Sequence, residues 1–230
     1  ELAISIMVAL DGVANGIFLV PHGISSAECI KLFYKLDTPL KVISDQGLES
    51  DQYYDSFEVV SAGQLQNEIK NQRNLVISKK TRWILSTSGT AGEPKLVSHS
   101  LESLIRTIKI NLEVGRSSVW GLLYGYTRFA GLQVLLQSLI SGSLLIAVDT
   151  NKDIAAQLRF LIEKKVTHLS ATPTLWRKLL MTLNVKQLNL KQITLGGEIS
   201  DQTTLSALQS IFPTARITHI YASTEAGVGF

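Results

Sequence analysis

The sequence predicts an α/β fold, with mostly parallel sheets flanked by helices. Short apolar runs rich in Val, Ile and Leu alternate with amphipathic stretches along most of the chain. Glycine- and hydroxyl-bearing segments follow several of those apolar runs directly. The 230 residues are 45% hydrophobic and 18% charged, enough apolar mass for one large core or two smaller ones. Repeated βα units of this kind build parallel sheets covered by helices on both faces.

Gly16-Ile-Phe-Leu-Val20 is a strand ended by Pro21. Ser25 or Ser26 then caps a helix through about Leu36, with Ile30, Phe33 and Tyr34 at helical spacing. Leu40 to Ser44 is the next strand, so this first βαβ unit predicts a parallel pair. Residues 45–80 are rich in Gln, Asn, Asp and Ser, a connecting region with one helix near Gln64 to Asn71. A division at 80/81 therefore separates an N-terminal βαβ subdomain from a larger α/β subdomain over 81–230. Trp83-Ile-Leu85 is a strand, and Ser100 caps a helix with Leu101, Leu104, Ile105, Ile108 and Leu112 on one stripe. Gly131 to Val148 reads as buried helix, turn and buried strand. Ile154 to Lys164 is a helix, and Val166 to Ala171 a strand. Thr172-Pro173 supplies a cap and an N1 proline for a helix to about Leu183. Ile193 to Leu195 is a strand, Ser200 opens a helix, and Arg216 to Ala222 is the last strand.

Composition removes several function classes. Lys+Arg 22 against Asp+Glu 19 gives +3. The densest basic run, Lys79-Lys80-Thr81-Arg82, reads as a solvated turn, so no nucleic-acid partner is expected. The single cysteine, Cys29, excludes an internal disulfide and reads as buried filler. The most apolar stretch carries Gln133, Gln137, Ser138, Ser141 and Ser143, too polar for a membrane span. No signal peptide is visible, although the chain begins at Glu1 and a trimmed leader stays open; the expected setting is reducing and cytoplasmic. His22, His99, His168 and His219 are too scattered for a metal cluster, Ser86 to Ser88 lack a hydrolase elbow, and Trp83, Trp120 and Trp176 read as packing.

Chemistry concentrates after strands. Thr87-Ser-Gly-Thr-Ala-Gly-Glu-Pro-Lys95 follows one directly. Its glycines let the backbone turn close to a ligand, its hydroxyls and N–H groups can surround an anion, and Lys95 adds a cation. The Walker pattern fails, because Pro94-Lys95-Leu96 stands where Gly-Lys-Ser/Thr is required. Taken alone, such a loop is as well explained by an ordinary surface turn. Leu195-Gly-Gly-Glu198, Tyr221-Ala-Ser-Thr-Glu225 and Ala171-Thr-Pro-Thr174 also follow strands. Parallel sheets present ligand-binding loops at that edge, so four such ends imply one crevice. Tyr221 offers a flat face to a base, and Glu225 a hard oxygen suited to Mg2+.

In order and spacing these loops resemble the adenylate-forming (AMP-binding) superfamily of acyl- and aryl-CoA ligases, luciferases and peptide-synthetase adenylation domains. Thr87 to Lys95 is similar to its phosphate loop, Gly196-Gly197-Glu198 to its adenine loop, and Tyr221 to Glu225 to its Tyr-Gly/Ala-x-Thr-Glu element. The resemblance implies that Thr87, Ser88, Gly89, Thr90 and Lys95, with Gly92 in the same loop, hold the β- and γ-phosphates of ATP. It implies that Gly196, Gly197 and Glu198 line the adenine, Tyr221 stacks on it, Thr224 meets the α-phosphate and Glu225 holds Mg2+. Lys95, Thr224 and Glu225 would be the catalytic residues. The implied reaction joins a small carboxylic acid to AMP, releasing pyrophosphate, and passes the acyl group to CoA or a carrier-protein pantetheine thiol. The region 81–230 would then be the nucleotide-binding subdomain of a large N-terminal domain.

Three departures qualify this. Leu96 replaces the glycine that usually follows the loop lysine. Where the family often has a histidine, Leu122 to Gly131 has none and offers Tyr126 or Arg128; Arg128 suits either an acidic substrate or a surface position. That stretch also lacks an aspartate to greet an α-amine, which favours an acyl or aryl acid over an amino acid. The sequence ends at Phe230, before counterparts of the family's ribose aspartate and lysine-bearing C-terminal domain, so the expectation is a fragment inactive by itself. A non-catalytic nucleotide- or acyl-binding module is the rival reading.

Overall fold

The computed structural model describes residues 2–21, 24, 26–36, 41–44, 58–61, 65, 67, 80–87 and 94–229. The chain divides into two compact units, Glu1–Leu101 and Glu102–Phe230.

The first unit contains α1 (Leu2–Leu10), β1 (Gly16–Leu19), α2 (Ser26–Tyr34), β2 (Lys41–Ser44), β3 (Glu58–Ser61), β4 (Arg82–Thr87) and β5 (Lys95–His99). Strands β1, β4 and β5 form one sheet in that order. β1 runs parallel to β4, with Gly16 opposite Arg82 and Leu19 opposite Leu85, and β5 runs antiparallel to β4. β2 instead pairs in parallel with β3. The pairing of β1 with β2 expected from the first βαβ unit is therefore corrected. β4 is the central strand, with Trp83, Ile84 and Leu85 all buried, and it takes β1 as its neighbour. β3 was missed because two valines in a polar stretch are a weak signal. This pairing also explains why contacts divide the chain after Leu101 rather than at 80/81: it joins residues on both sides of position 80 in one sheet. Polar contacts tie the turn after α1 to the start of β4. Thr81 Oγ1 donates to the Ala14 carbonyl (2.6 Å) and accepts from the Gly12 N–H (2.9 Å), while Trp83 Nε1 donates to Asp11 Oδ1 (2.8 Å). Of the helix expected near Gln64 to Asn71, only Leu65 and Asn67 are described, both helical; Ser25 and Leu40 lie outside the described residues.

The stripe expected from Leu101 to Leu112 breaks into α3 (Leu101–Ile105) and α4 (Leu112–Arg116). The β-branched Thr107, Ile108 and Ile110 disfavour helix between them. Asn111 then starts a new helix, accepting the N–H groups of Glu113 and Val114 at 3.1 Å each.

From there β6 (Val119–Leu122), α5 (Phe129–Ile140), β7 (Leu144–Ala147), α6 (Ile154–Glu163), β8 (His168–Ala171), α7 (Pro173–Leu180), β9 (Gln192–Gly196), α8 (Gln202–Ile211) and β10 (Arg216–Ile220) alternate. The five strands form one parallel sheet in the order β10-β9-β8-β6-β7. The chain steps from β6 outward to β7, then returns past β6 to build β8, β9 and β10 on the other side. The switch point lies between β6 and β8. Leu158, Leu161, Leu169, Trp176, Leu179, Ile193 and Leu208 are almost wholly buried and form the core between sheet and helices. Trp176 Nε1 donates to the Thr194 carbonyl (3.0 Å), so this large side chain is buried without an orphaned donor.

Two expectations shift here. β7, expected buried, is an edge strand with Leu144 exposed, because only β6 lies beside it. The cap of α8 is Asp201, accepting from Thr204 N (2.7 Å), rather than Ser200. The strand expected from Arg216 to Ala222 ends at Ile220, and a short antiparallel hairpin follows, β11 (Ala222–Ser223) and β12 (Gly227–Val228). Among the described residues no helix is long and apolar enough to cross a membrane.

Cys29 sits buried in α2, and burial pushes its thiol up to about 11. At neutral pH almost none of it is thiolate, the reactive form. Alkylation by iodoacetamide should be at least about tenfold slower in the native protein than in the unfolded chain, whose thiol lies near 8.5. Equal rates in a quench-and-mass assay would contradict this burial.

Candidate functional site

Because β8, β9 and β10 are parallel and in register, their carboxyl ends emerge side by side. Ala171 pairs with Leu195, and Gly196 pairs with Ile220. The residues that follow, Thr172 to Thr174, Gly197-Glu198 and Tyr221, therefore leave one edge of the sheet beside each other. β6 ends at the same edge, next to the switch point, and delivers Tyr124.

The Gly196–Asp201 loop is held from three directions. Tyr124 donates its hydroxyl to the Gly196 carbonyl (3.4 Å), and the Glu198 carbonyl accepts from His219 Nε2 (3.2 Å). Glu198 Oε2 accepts both the Thr174 hydroxyl (2.6 Å) and the Thr174 N–H (3.0 Å) in the first turn of α7. These Thr174 bonds, with Arg177 nearby, hold the Glu198 carboxyl below its ordinary value. Burial pushes the Tyr124 phenol up to about 12, so it stays a neutral donor at working pH.

The two glycines differ. Gly197 has φ of +80°, the left-handed region that disfavours a side chain. Gly196 has no such φ, and a Cβ there would meet only the Ile220 carbonyl, at an ordinary 3.7 Å. Among the described residues, none would clash with a side chain at Gly196.

Tyr221 is 64% exposed directly after β10. Thr224 and Glu225 lie in the turn of the β11–β12 hairpin, where the Ser223 hydroxyl accepts from Ala226 N (3.0 Å). Glu225 is exposed. Among the described residues no group of three or more His, Cys, Asp or Glu could hold a metal ion, and Glu225 itself brings one carboxylate. That suits Mg2+, which is commonly held by one or two carboxylates together with substrate phosphates.

The remaining predicted residues belong to the first unit. Thr87 and Lys95 are directly opposed in the β4–β5 ladder and close the base of the glycine-hydroxyl loop. The Thr87 hydroxyl is buried and, among the described residues, has no hydrogen-bond partner, as is also true of the Ser200 hydroxyl. Ser88, Gly89, Thr90 and Gly92 lie outside the described residues. Of the four strand ends expected at one crevice, three share the five-stranded sheet, while the end at Thr87 belongs to the β1-β4-β5 sheet. Sequence reasoning missed Tyr124 and His219; the only available signal was their place near strand ends. Arg128 is the N-cap residue of α5 and makes no side-chain capping bond.

Comparison with known proteins fits this arrangement. The family model for AMP-binding enzymes matches residues 22–230. A plipastatin synthase protein of Bacillus subtilis is 27% identical over 160 residues, covering 66% of this chain and 6% of that protein. The D-alanine--D-alanyl carrier protein ligase of Staphylococcus aureus is 31% identical over 156 residues, covering 64% of this chain and 32% of that one. This chain therefore spans under a third of the length of these relatives. Among solved structures, the o-succinylbenzoate CoA synthetase of Bacillus subtilis with its acyl-adenylate intermediate gives a TM-score of 0.75 at 17% identity, over 96% of this chain and 47% of that one. The same enzyme with ATP and a magnesium ion gives 0.67 at 17% identity, over 87% and 43%. At these identities the structural likeness shows the fold. The family match, over most of the length, shows more: the chain belongs to the AMP-binding enzymes.

Proposed function

We propose that this chain is the nucleotide-binding part of an AMP-forming carboxylate ligase. The observation that carries this reading is the Gly196-Gly197 edge at the end of β9, one strand from the switch point, where Gly196 carries no side chain although no described residue would clash with one. A flat base can lie against that bare backbone, and Tyr221, emerging from the adjacent strand, offers its ring. Thr87, whose hydroxyl has no partner among the described residues, Lys95 and the loop residues Ser88, Gly89, Thr90 and Gly92 hold the β- and γ-phosphates. Thr224 meets the α-phosphate, and Glu225 holds Mg2+, which supplies charge neutralisation when bound.

The reaction is attack of a substrate carboxylate oxygen on the α-phosphorus. The new P–O bond forms as the bond to the bridging oxygen breaks, giving an acyl-adenylate and pyrophosphate. An anion must approach a polyanion, so fixed N–H dipoles and the Lys95 ammonium do most of the work. Thioester formation follows. The carrier-protein ligase relative supports a pantetheine thiol as acceptor, and the CoA synthetase likeness keeps CoA as the alternative. The absence of aspartate between Trp120 and Gly131 supports an acyl or aryl acid. The peptide-synthetase relative is the observation favouring a second reading, amino-acid adenylation. Pyrophosphate release by the complete gene product with a panel of aliphatic, aromatic and amino acids tests the function, and silence with every acid would favour a non-catalytic binding module.

Three outcomes follow from the assigned roles. Lys95→Ala should lower adenylate formation by about 10²–10³, the usual loss for one preorganised charge-stabilising donor. Wild-type pyrophosphate exchange in that variant would remove the loop from the phosphate site. Glu225→Gln should raise the Mg2+ concentration needed for turnover while leaving the melting transition intact, and an unchanged Mg2+ titration would sink the metal role. The glycines should separate: Gly197→Ala loses about 1–2 kcal/mol of stability for its left-handed backbone. Gly196→Ala melts as wild type, yet raises KM for ATP about tenfold, equivalent to ~1.4 kcal/mol. A destabilised Gly196→Ala with unaltered KM would show that the protein, not a ligand, needs that glycine.

A further inference from the structure

The side chain of Glu198 belongs to a chain of polar contacts that joins α7 to α8. Thr172 already caps α7 by accepting from Leu175 N (3.2 Å). The Thr174 N–H, one of the orphan donors of that first turn, goes to Glu198 Oε2. Arg177 Nη2 donates to Thr174 Oγ1 (3.0 Å). A hydroxyl that accepts from a guanidinium keeps its single proton for another partner, and here that partner is Glu198 Oε2 at 2.6 Å. Arg177 Nη1 donates to Asp201 Oδ2 (2.7 Å), while Asp201 Oδ1 accepts Thr204 N at the start of α8. The middle of the Gly196–Asp201 loop, at Glu198, and its end at Asp201 are thus linked through Arg177. The loop backbone is meanwhile gripped at the Gly196 and Glu198 carbonyls by Tyr124 and His219.

We propose that Glu198 is a positioning residue. Its carboxylate, held by Thr174 and oriented through Arg177, fixes the Gly196-Gly197 backbone edge on which the nucleotide base rests, and it makes no contact with the nucleotide itself. This inference rests on the ligase reading above. Arg177 and Asp201 are each about half exposed, and exposed ion pairs contribute little stability. The network therefore acts through loop geometry, and its loss shows in substrate affinity before it shows in melting temperature. A bidentate guanidinium is what the linkage requires, because one arm serves Thr174 and the other Asp201.

The test uses the complete gene product and compares Thr174→Val, Arg177→Ala, Arg177→Lys, Glu198→Ala and Glu198→Gln. Thr174→Val, Arg177→Ala and Glu198→Ala should each raise KM for ATP about five- to tenfold, with kcat and KM for the acid little changed. Glu198→Gln, which keeps an oxygen to accept from Thr174, should recover most of the loss. Arg177→Lys, a point charge without the fork, should recover little. The Glu198→Ala/Thr174→Val double variant should be no worse than either single one, since both remove the same contact. Glu198→Gln as damaging as Glu198→Ala, with Thr174→Val silent, would mean that the charge itself meets the nucleotide and would overturn the proposal. If the wild type neither binds ATP nor releases pyrophosphate, the ligase reading fails, and the positioning role is read from amide hydrogen exchange. Thr174→Val and Glu198→Ala should then speed exchange at Gly197 and Glu198 alike, and protection unchanged in both would overturn it.

Discussion

The parallel register of β6, β8, β9 and β10 is the constraint on which the rest of the second unit depends. With Ala171 opposite Leu195 and Gly196 opposite Ile220, one residue's slip in a strand would exchange the side chains on its two faces and move its terminal loop along the edge. The core residues Leu169, Ile193 and Leu195 forbid that slip, because each is fully buried on the sheet. Positions of polar groups at the edge are therefore inherited from packing far from them. The loop chemistry has little freedom to wander, and its residues need only the right spacing after the last buried strand position.

Helix starts are the second device by which packing fixes polar geometry. Asp153, Thr172 and Asp201 each accept an N–H of the turn they open, and Pro173 presets the first helical residue of α7. These helices follow β7, β8 and β9, so each cap also sets where a strand-end loop stops. The Glu198 carboxylate on Thr174 extends the same chemistry between elements rather than within one. A single first turn thus fastens its own loop and its neighbour's.

How much was legible follows the same physics. The main strands and helices after Ile154 were read in type and order, with bounds off by two or three residues in places and the β11–β12 hairpin not foreseen, because short buried runs there are cut by strong caps and by Pro173. The phosphate-loop and Gly-Gly motifs were legible because glycines and hydroxyls cluster where backbone must meet a ligand. Pairing was not: nothing local in Gly16–Leu19 says that its neighbour is Arg82–Thr87, sixty-six positions on, rather than Lys41–Ser44. The stripe from Leu101 to Leu112 misled because helical spacing survived while β-branched residues and the Asn111 cap broke the helix. Tyr124 and His219 were invisible because a lone Tyr or His near a strand end has no pattern; only the fold gives each a carbonyl to hold.

Adjacent glycines usually invite one explanation, and here they need two. Gly197 answers to the chain, since its φ of +80° lets the loop double back toward α8. Gly196 answers to no clash among the described residues, where a methyl group would fit. The carbonyl of Gly196 is nonetheless engaged by Tyr124, a half-buried donor that desolvation keeps protonated. A backbone held this firmly and kept bare at the same point is built as a surface for something flat to rest on. Flexibility would defeat that use, because a mobile edge must lose conformational entropy on binding. The clamps from β6, α7 and β10 remove that loss beforehand, so rigidity in the Gly-Gly edge and recognition of the base are one property of the fold.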